Sequence, residues 1–239
     1  MKIALVTGAN RGIGFETSRQ LARLGFKVYM GCRDEEKGKR AANILKSEGL
    51  VVEFLLVDVT KTQGIRAIHD QLKQNGESLD ILVNNAGVFL EGDGPTNPED
   101  SSLFKVDPVI ILKTIETNTM GPLKLIQSLV PDMLKKGEGR IINVSSGMGQ
   151  LNSMGPSWPG YRMSKCALNA LTCILNSELK NQSIIVNSVC PGWVQTDMGG
   201  KQADLSVEQG VESIVWLASA PSQEIPRGKF IQNKKEIPW

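Results

Sequence analysis

A tyrosine and a lysine stand four residues apart in Tyr161-Arg162-Met163-Ser164-Lys165. On a helix that spacing puts both on one face, a turn from each other. An ammonium held beside a phenol favours the phenolate and is expected to lower a pKa that starts near ~10. Such a phenol can give or take a proton near neutral pH. The competing reading of the pair is a surface contact, and what separates the two is the set of residues the fold brings alongside.

Short apolar runs alternate with helical stretches along the whole chain, the pattern of a parallel sheet with crossover helices. Strands are expected at Ile3–Thr7, Lys27–Gly31, Val52–Val57, Ile81–Val83, Arg140–Val144, Ile184–Val189 and Lys229–Gln232. Capping boxes are expected at Thr60-Lys61-Thr62-Gln63 and at Ser206-Val207-Glu208-Gln209. Asn97-Pro98-Glu99-Asp100 offers an N-cap with proline at the first helical position. With no internal repeat and no linker, seven strands and six helices predict one domain over residues 1–239, a doubly wound seven-stranded parallel sheet flanked by helices.

Composition excludes several classes. Net charge is +2, so neither nucleic acid nor membrane surface is an expected partner. No apolar run is long enough to span a bilayer. The four cysteines, Cys32, Cys166, Cys173 and Cys190, form no Cys-x-x-Cys pair, which predicts reduced thiols and a cytoplasmic location. His69 is the only histidine, so neither a hydrolase triad nor a metal site is expected, and His69 reads as a solvated helix residue.

In such a sheet the ligand crevice lies outside the carboxyl ends of the strands. The first strand is followed by Thr7-Gly8-Ala9-Asn10-Arg11-Gly12-Ile13-Gly14. Glycines there let backbone approach a pyrophosphate, which the next helix N-terminus attracts. Later strand ends carry Asp58-Val59, Asn84-Asn85-Ala86-Gly87, Ser145-Ser146 and Pro191-Gly192. With Tyr161-x-x-x-Lys165, these motifs occur in the order of the short-chain dehydrogenase/reductase family, and the whole chain resembles it. Arg33-Asp34-Glu35-Glu36-Lys37-Gly38, Ser47-Glu48-Gly49-Leu50 and Asn143-Val144-Ser145-Ser146 look most like its carbonyl reductases.

The resemblance implies a Rossmann-type fold and reversible NADPH-dependent reduction of a carbonyl. Tyr161 would protonate the carbonyl oxygen. Lys165 would lower the Tyr161 pKa and hold the nicotinamide ribose. Ser146 would bind the substrate oxygen, with Ser145 the alternative, and Asn118 would fill the fourth catalytic position. Gly8, Asn10, Arg11, Gly12, Ile13 and Gly14 would form the phosphate loop. Asp58 and Val59 would meet the adenine, Asn85, Ala86 and Gly87 the adenosine side, and Pro191, Gly192, Val194 and Thr196 the nicotinamide. The Ser146-to-Tyr161 interval is slightly longer than in the commonest members. Two rivals share parts of this pattern, a 3-oxoacyl-thioester reductase and a non-catalytic NADP(H) sensor. The sensor has no use for Tyr161.

Four expectations start from the residues themselves. Pro122 lacks an N–H, so the Asn118 carbonyl loses its i+4 partner and can hold a water leading to Lys165. Arg33 after the second strand and Arg11 in the glycine loop can grip a 2′-phosphate, which selects NADP(H) over NAD; Asp34 reads as an N-cap or first-turn residue. Val88-Phe89-Leu90, Met148, Leu151, Met154, Trp158, Trp193 and Met198 lie in loop-like stretches and suit a hydrophobic small-molecule carbonyl. From Tyr161 to Leu179 the polar residues Arg162, Lys165, Asn169, Thr172 and Asn176 fill one sector and apolar residues the rest. Family members commonly pair through this helix, and no long insertion precedes Tyr161 to cover it, so a homodimer or homotetramer is expected.

Overall fold

The computed structural model describes residues 1–92 and 101–239. β1 (Ile3–Thr7) is buried along its length. Ile3 and Leu5 join one core and Ala4 and Val6 the other, because successive side chains of a strand point to opposite faces. Helices must therefore cover both sides. α1 (Gly12–Arg23), α2 (Glu35–Ser47) and α7 (Val207–Ser219) supply Leu21, Leu45 and Ile214 to one core. α3 (Thr62–Gln74), α5 (Gly121–Lys136) and α6 (Pro159–Glu178) supply Ile68, Leu129 and Leu175 to the other.

The remaining strands are β2 (Lys27–Cys32), β3 (Val52–Leu56), β4 (Ile81–Asn84), β5 (Gly139–Val144), β6 (Ile184–Val189), β7 (Phe230–Gln232) and β8 (Lys235–Ile237). Their order in the sheet is β3-β2-β1-β4-β5-β6-β7-β8. All pairs are parallel except β7 with β8. The sheet is thus doubly wound, but it has eight strands where seven parallel ones were expected. Asn233 and Lys234, both at positive φ, turn the chain back on itself as a tight hairpin requires. Lys235-Glu236-Ile237 is too short and too charged to show strand periodicity.

The order reverses between β1 and β4, which brings the glycine loop and Asn84–Gly87 together at the switch point. Between β4 and β5 lie α4 (Pro108–Ile115), a π-helical turn at Glu116–Met120, and α5. Ser206 and Gln209 form the expected capping box. The box expected at Thr60 is absent: Lys61 is the N-cap of α3, and the Thr60 hydroxyl donates to Asp58 Oδ1 at 2.7 Å instead. The cap expected at Asn97-Pro98-Glu99-Asp100 lies outside the described residues. His69 is bonded through Nε2 to Asp132 Oδ2 at 2.7 Å, so it is partnered rather than simply solvated.

Candidate active site

The switch point is held by threonine and amide side chains. Thr7 Oγ1 accepts from the backbone N–H groups of Asn85 and Ala86 at 3.1 and 3.0 Å. Asn85 Nδ2 donates to the Thr7 carbonyl at 2.8 Å. A side chain at Gly14 would meet the Gly8 carbonyl oxygen at 2.4 Å, so only glycine lets the loop close this tightly. Arg11 is the N-cap of α1 but makes no side-chain cap bond, and the first turn holds no acid. The α1 N-terminus therefore keeps amide donors and positive dipole available for an anion. A dinucleotide pyrophosphate fits that cradle.

Arg33, exposed after β2, lies with Asp58 and Lys61 on the wall of a cavity of about 520 Å³. Asp34 caps α2, its side chain accepting from Lys37 N–H. Burial works against ionisation of Asp58, but the Thr60 N–H and hydroxyl hold its carboxyl below the usual range. Val59 packs beneath Gly121. Arg11 is ion-paired with Asp197, and both side chains remain about 70% exposed. Thr196 lies against Gly12, so the segment after Pro191-Gly192 touches the glycine loop. Val194 is buried under that segment.

Across the cleft, α6 delivers Tyr161 and Lys165 to the carboxyl ends of β4 and β5. The Ser146 hydroxyl lies near enough to the Tyr161 phenol to favour its ionised form. Ser145 is turned away, donating to the Lys165 carbonyl at 3.3 Å. Lys165 Nζ donates to the Val144 carbonyl at 2.8 Å and lies 5.6 Å from the centre of the Tyr161 ring. A side chain at Gly87 would meet Asn118 Oδ1 at 3.3 Å and Lys165 Nζ at 3.6 Å. These distances bring Asn118, Lys165, Tyr161 and Ser146 to one place.

The acidities differ from expectation. Burial pushes the Lys165 ammonium down to about 8, with Cys190 working weakly the other way. Burial likewise pushes Tyr161 up to about 12, and the Ser146 hydroxyl only partly offsets it. Tyr161 as a whole is half-buried. The lowering of Tyr161 by Lys165 is not seen. The ammonium is directed at Val144, and burial outweighs its charge at the phenol.

Asn118 lies within the π-turn. Its side chain clamps Val88 in both directions, accepting from the Val88 N–H at 2.8 Å and donating to its carbonyl at 2.9 Å. It also donates to Ser164 Oγ at 3.0 Å. The Gly121 N–H bonds the Glu116 carbonyl, five residues back, and Pro122 offers the Asn118 carbonyl no donor. Phe89, beside Val88, packs on Tyr161 with ring centres 4.6 Å apart and meets Trp158 edge-on at 5.9 Å. Leu151, Met154, Trp193 and Met198 are exposed.

Two participants went unread in the sequence. Cys190, buried at the end of β6, accepts from the Gly147 N–H at 3.1 Å and so ties the Ser146 turn to the Pro191-Gly192 turn. Glu91 reaches the N-terminus of α6 from the loop after β4. A lone acid in a loop carries no spacing signal that could have revealed it.

A helix N-terminus cradled by glycine at the switch point, facing a buried proton-transfer cluster, defines the doubly wound oxidoreductases that take a dinucleotide. The chain belongs to the short-chain dehydrogenase/reductase family: residues 2–205 match the short chain dehydrogenase pattern. Carbonyl reductase (NADPH) 1 of Mus musculus is 34% identical over 282 aligned positions, covering 99% of this chain and 98% of that protein. The (+)-neomenthol dehydrogenase of Arabidopsis thaliana is 33% identical, covering 98% and 97%. Among solved structures, the NADPH-bound carbonyl reductase from chicken fatty liver matches with a TM-score of 0.84 at 28% identity over the whole of both chains. Carbonyl reductase Sniffer of D. melanogaster matches with a TM-score of 0.86 at 28% identity, covering 100% of this chain and 99% of that one.

Proposed function

We propose that residues 1–239 form a single catalytic domain that reduces a hydrophobic ketone or aldehyde to an alcohol with NADPH, reversibly. The observation that carries this reading is a buried Lys165 with its Nζ 5.6 Å from the Tyr161 ring centre and Ser146 near the phenol, at the strand ends that adjoin the glycine cradle. Bound NADPH supplies the hydride. The cradle of Gly8, Asn10, Gly12, Ile13 and Gly14 would hold its pyrophosphate, and Arg11 and Arg33 its 2′-phosphate. Asp58 and Val59 would face the adenine, and Asn85, Ala86 and Gly87 the adenosine side. Pro191, Gly192, Val194 and Thr196 would meet the nicotinamide, and Lys165 its ribose.

Ser146 and Tyr161 together would orient the carbonyl oxygen, and Tyr161 would donate the proton as that oxygen becomes negative. Lys165 would replace the lost proton, fed through a water held at the Asn118 carbonyl, to which Pro122 offers no i+4 donor. Phe89 and Trp158 give this polar pair an aromatic wall, which suits an apolar substrate.

The test is cofactor absorbance with NADPH and NADH against a panel of ketones, aldehydes and 3-oxoacyl thioesters, in the wild type and in Tyr161→Phe. Ketone or aldehyde turnover favouring NADPH, lost in Tyr161→Phe with NADPH binding kept, is expected. Turnover of acyl thioesters alone, or a Tyr161→Phe enzyme retaining more than a tenth of kcat, overturns the reading.

We also propose a homodimer or homotetramer. The polar stripe of α6 turns inward: Lys165, Asn169 and Thr172 are buried, and Thr172 bonds Ser188 and Asn143. Met163 and Ile174 of α6 are left exposed, as are Val109 and Leu112 of α4, which packs against it.

A further inference from the structure

The start of α6 lacks a cap of its own. Its N-cap residue is Trp158, in the left-handed region at φ 52°, with no side-chain cap bond. Ser157 before it also has positive φ, at 61°. Two consecutive non-glycine residues there carry strain of roughly 1–3 kcal/mol each, which persists only where the surroundings enforce it. Pro159 follows and has no N–H, so the first amides in need of acceptors are those of Gly160 and Tyr161.

Glu91 meets both. Its Oε1 accepts from the Gly160 N–H at 2.9 Å and its Oε2 from the Tyr161 N–H at 2.8 Å. The residue is only 5% exposed. A carboxylate at a helix N-terminus gains from the dipole as well as from two charge-assisted bonds. A side chain at Gly160 would come within 3.1 Å of Glu91 Oε2, so glycine keeps the approach open. The strained turn is tied to Glu91 as well: the Trp158 N–H donates to the Ser101 carbonyl at 2.9 Å, and Ser101 Oγ donates to the Glu91 carbonyl at 3.2 Å.

The loop therefore grips Tyr161 twice, its ring through Phe89 and its backbone through Glu91. Asn118 clamps the same loop at Val88. We propose that Glu91 is a positioning residue for Tyr161, fixing where the phenol stands relative to Ser146 by holding the backbone from which it projects. A displacement of about 1 Å at a reacting group can cost about 100-fold in rate. Ser146, Cys190 and Lys165 are the polar groups near the phenol, and a Tyr161 shifted from Ser146 loses the neighbour that favours its ionised form. The proposal rests on the reductase reading, and its test is built so that the two fail separately.

Glu91→Ala removes both acceptors, and Glu91→Gln keeps the shape with one acceptor and no charge. We expect kcat to fall roughly tenfold to 100-fold in Glu91→Ala and less in Glu91→Gln, with KM for NADPH within about twofold of wild type. The alkaline limb of the kcat–pH profile moves upward in both. The chain has only two tyrosines, so 13Cζ-tyrosine labelling follows Tyr161 directly, with Tyr29 as internal reference. Its Tyr161 resonance should move in both variants while that of Tyr29 stays. A cap with a merely structural role would lower Tm and leave these readouts unchanged. The proposal is overturned if folded variants keep kcat within twofold of wild type, or if the Tyr161 resonance stays in place in both. Should Glu91→Ala fail to fold, Glu91→Gln decides. Should the wild type reduce no carbonyl, the reductase reading falls and the resonance alone decides the role of Glu91.

Discussion

Lys165 is buried with its Nζ on the Val144 carbonyl, and burial brings its pKa from 10.5 to about 8. The native state thus sheds a proton before the unfolded chain does. Below about pH 8 both states are protonated and the cost of the buried ammonium is constant. Between about 8 and 10.5 the unfolded chain binds more protons, so stability rises with pH across that window. Such a shift corresponds to about 3 kcal/mol, less about 1 kcal/mol for the carbonyl hydrogen bond. Lys165→Met should therefore be inactive yet about 2 kcal/mol more stable at pH 7, the gain shrinking towards pH 10. Urea unfolding at the two pH values checks this, and equal or lower stability at pH 7 refutes it. Tyr161 runs the other way: its pKa rises from 10.0 to about 12, so its contribution is full below pH 10 and is lost as pH climbs through that interval. The spacing of Tyr161 and Lys165 was legible in the sequence, but their acidities were not. Those depend on how deeply the fold encloses each group and on which carbonyl claims the ammonium.

Strand positions were readable to within a residue at each end, because the parallel strands are buried on both faces and announce themselves as apolar runs. The glycine loop was readable because its residues act locally. Gly14 shows how little freedom it has, with the Gly8 carbonyl 2.4 Å from where a side chain would begin. Gly14→Ala should push the loop open, weaken NADPH binding at least tenfold and lower Tm by several degrees. Fluorescence titration and thermal unfolding measure both, and wild-type affinity would show that the loop has slack. What could not be read depends on partners distant in sequence. The π-turn at Glu116–Met120 aims Asn118 at Val88, and its register follows from packing rather than from any local code. Thr60 has the right spacing for a capping box, yet Asp58 competes for its hydroxyl and wins. Side chains of α6 that look like a solvated stripe are buried, because Asn143 and Ser188 on the neighbouring strands offer Thr172 hydrogen bonds.

Over the whole molecule, the exposed apolar side chains Met163 and Ile174 on α6 and Val109 and Leu112 on α4, two helices in contact, motivate the proposed pairing with a second copy. Light scattering at micromolar concentration should give twice or four times the 26.0 kDa chain mass. Ile174→Glu should shift the species towards the monomer. A single-chain mass for the wild type refutes the pairing. The sheet order β3-β2-β1-β4-β5-β6-β7-β8 has a separate consequence for synthesis. From β5 onward each new strand docks beside the one made just before it, so a growing chain carries its newest strand as an open edge. That edge offers unpaired N–H and C=O groups to any neighbouring nascent chain. Only the short antiparallel β8, with Lys235 and Glu236 exposed, ends the series. A chain released before Phe230 would expose β6, apolar and fully buried in the finished protein, as a template for aggregation. The hairpin that adds β8 is thus what covers the β7 edge.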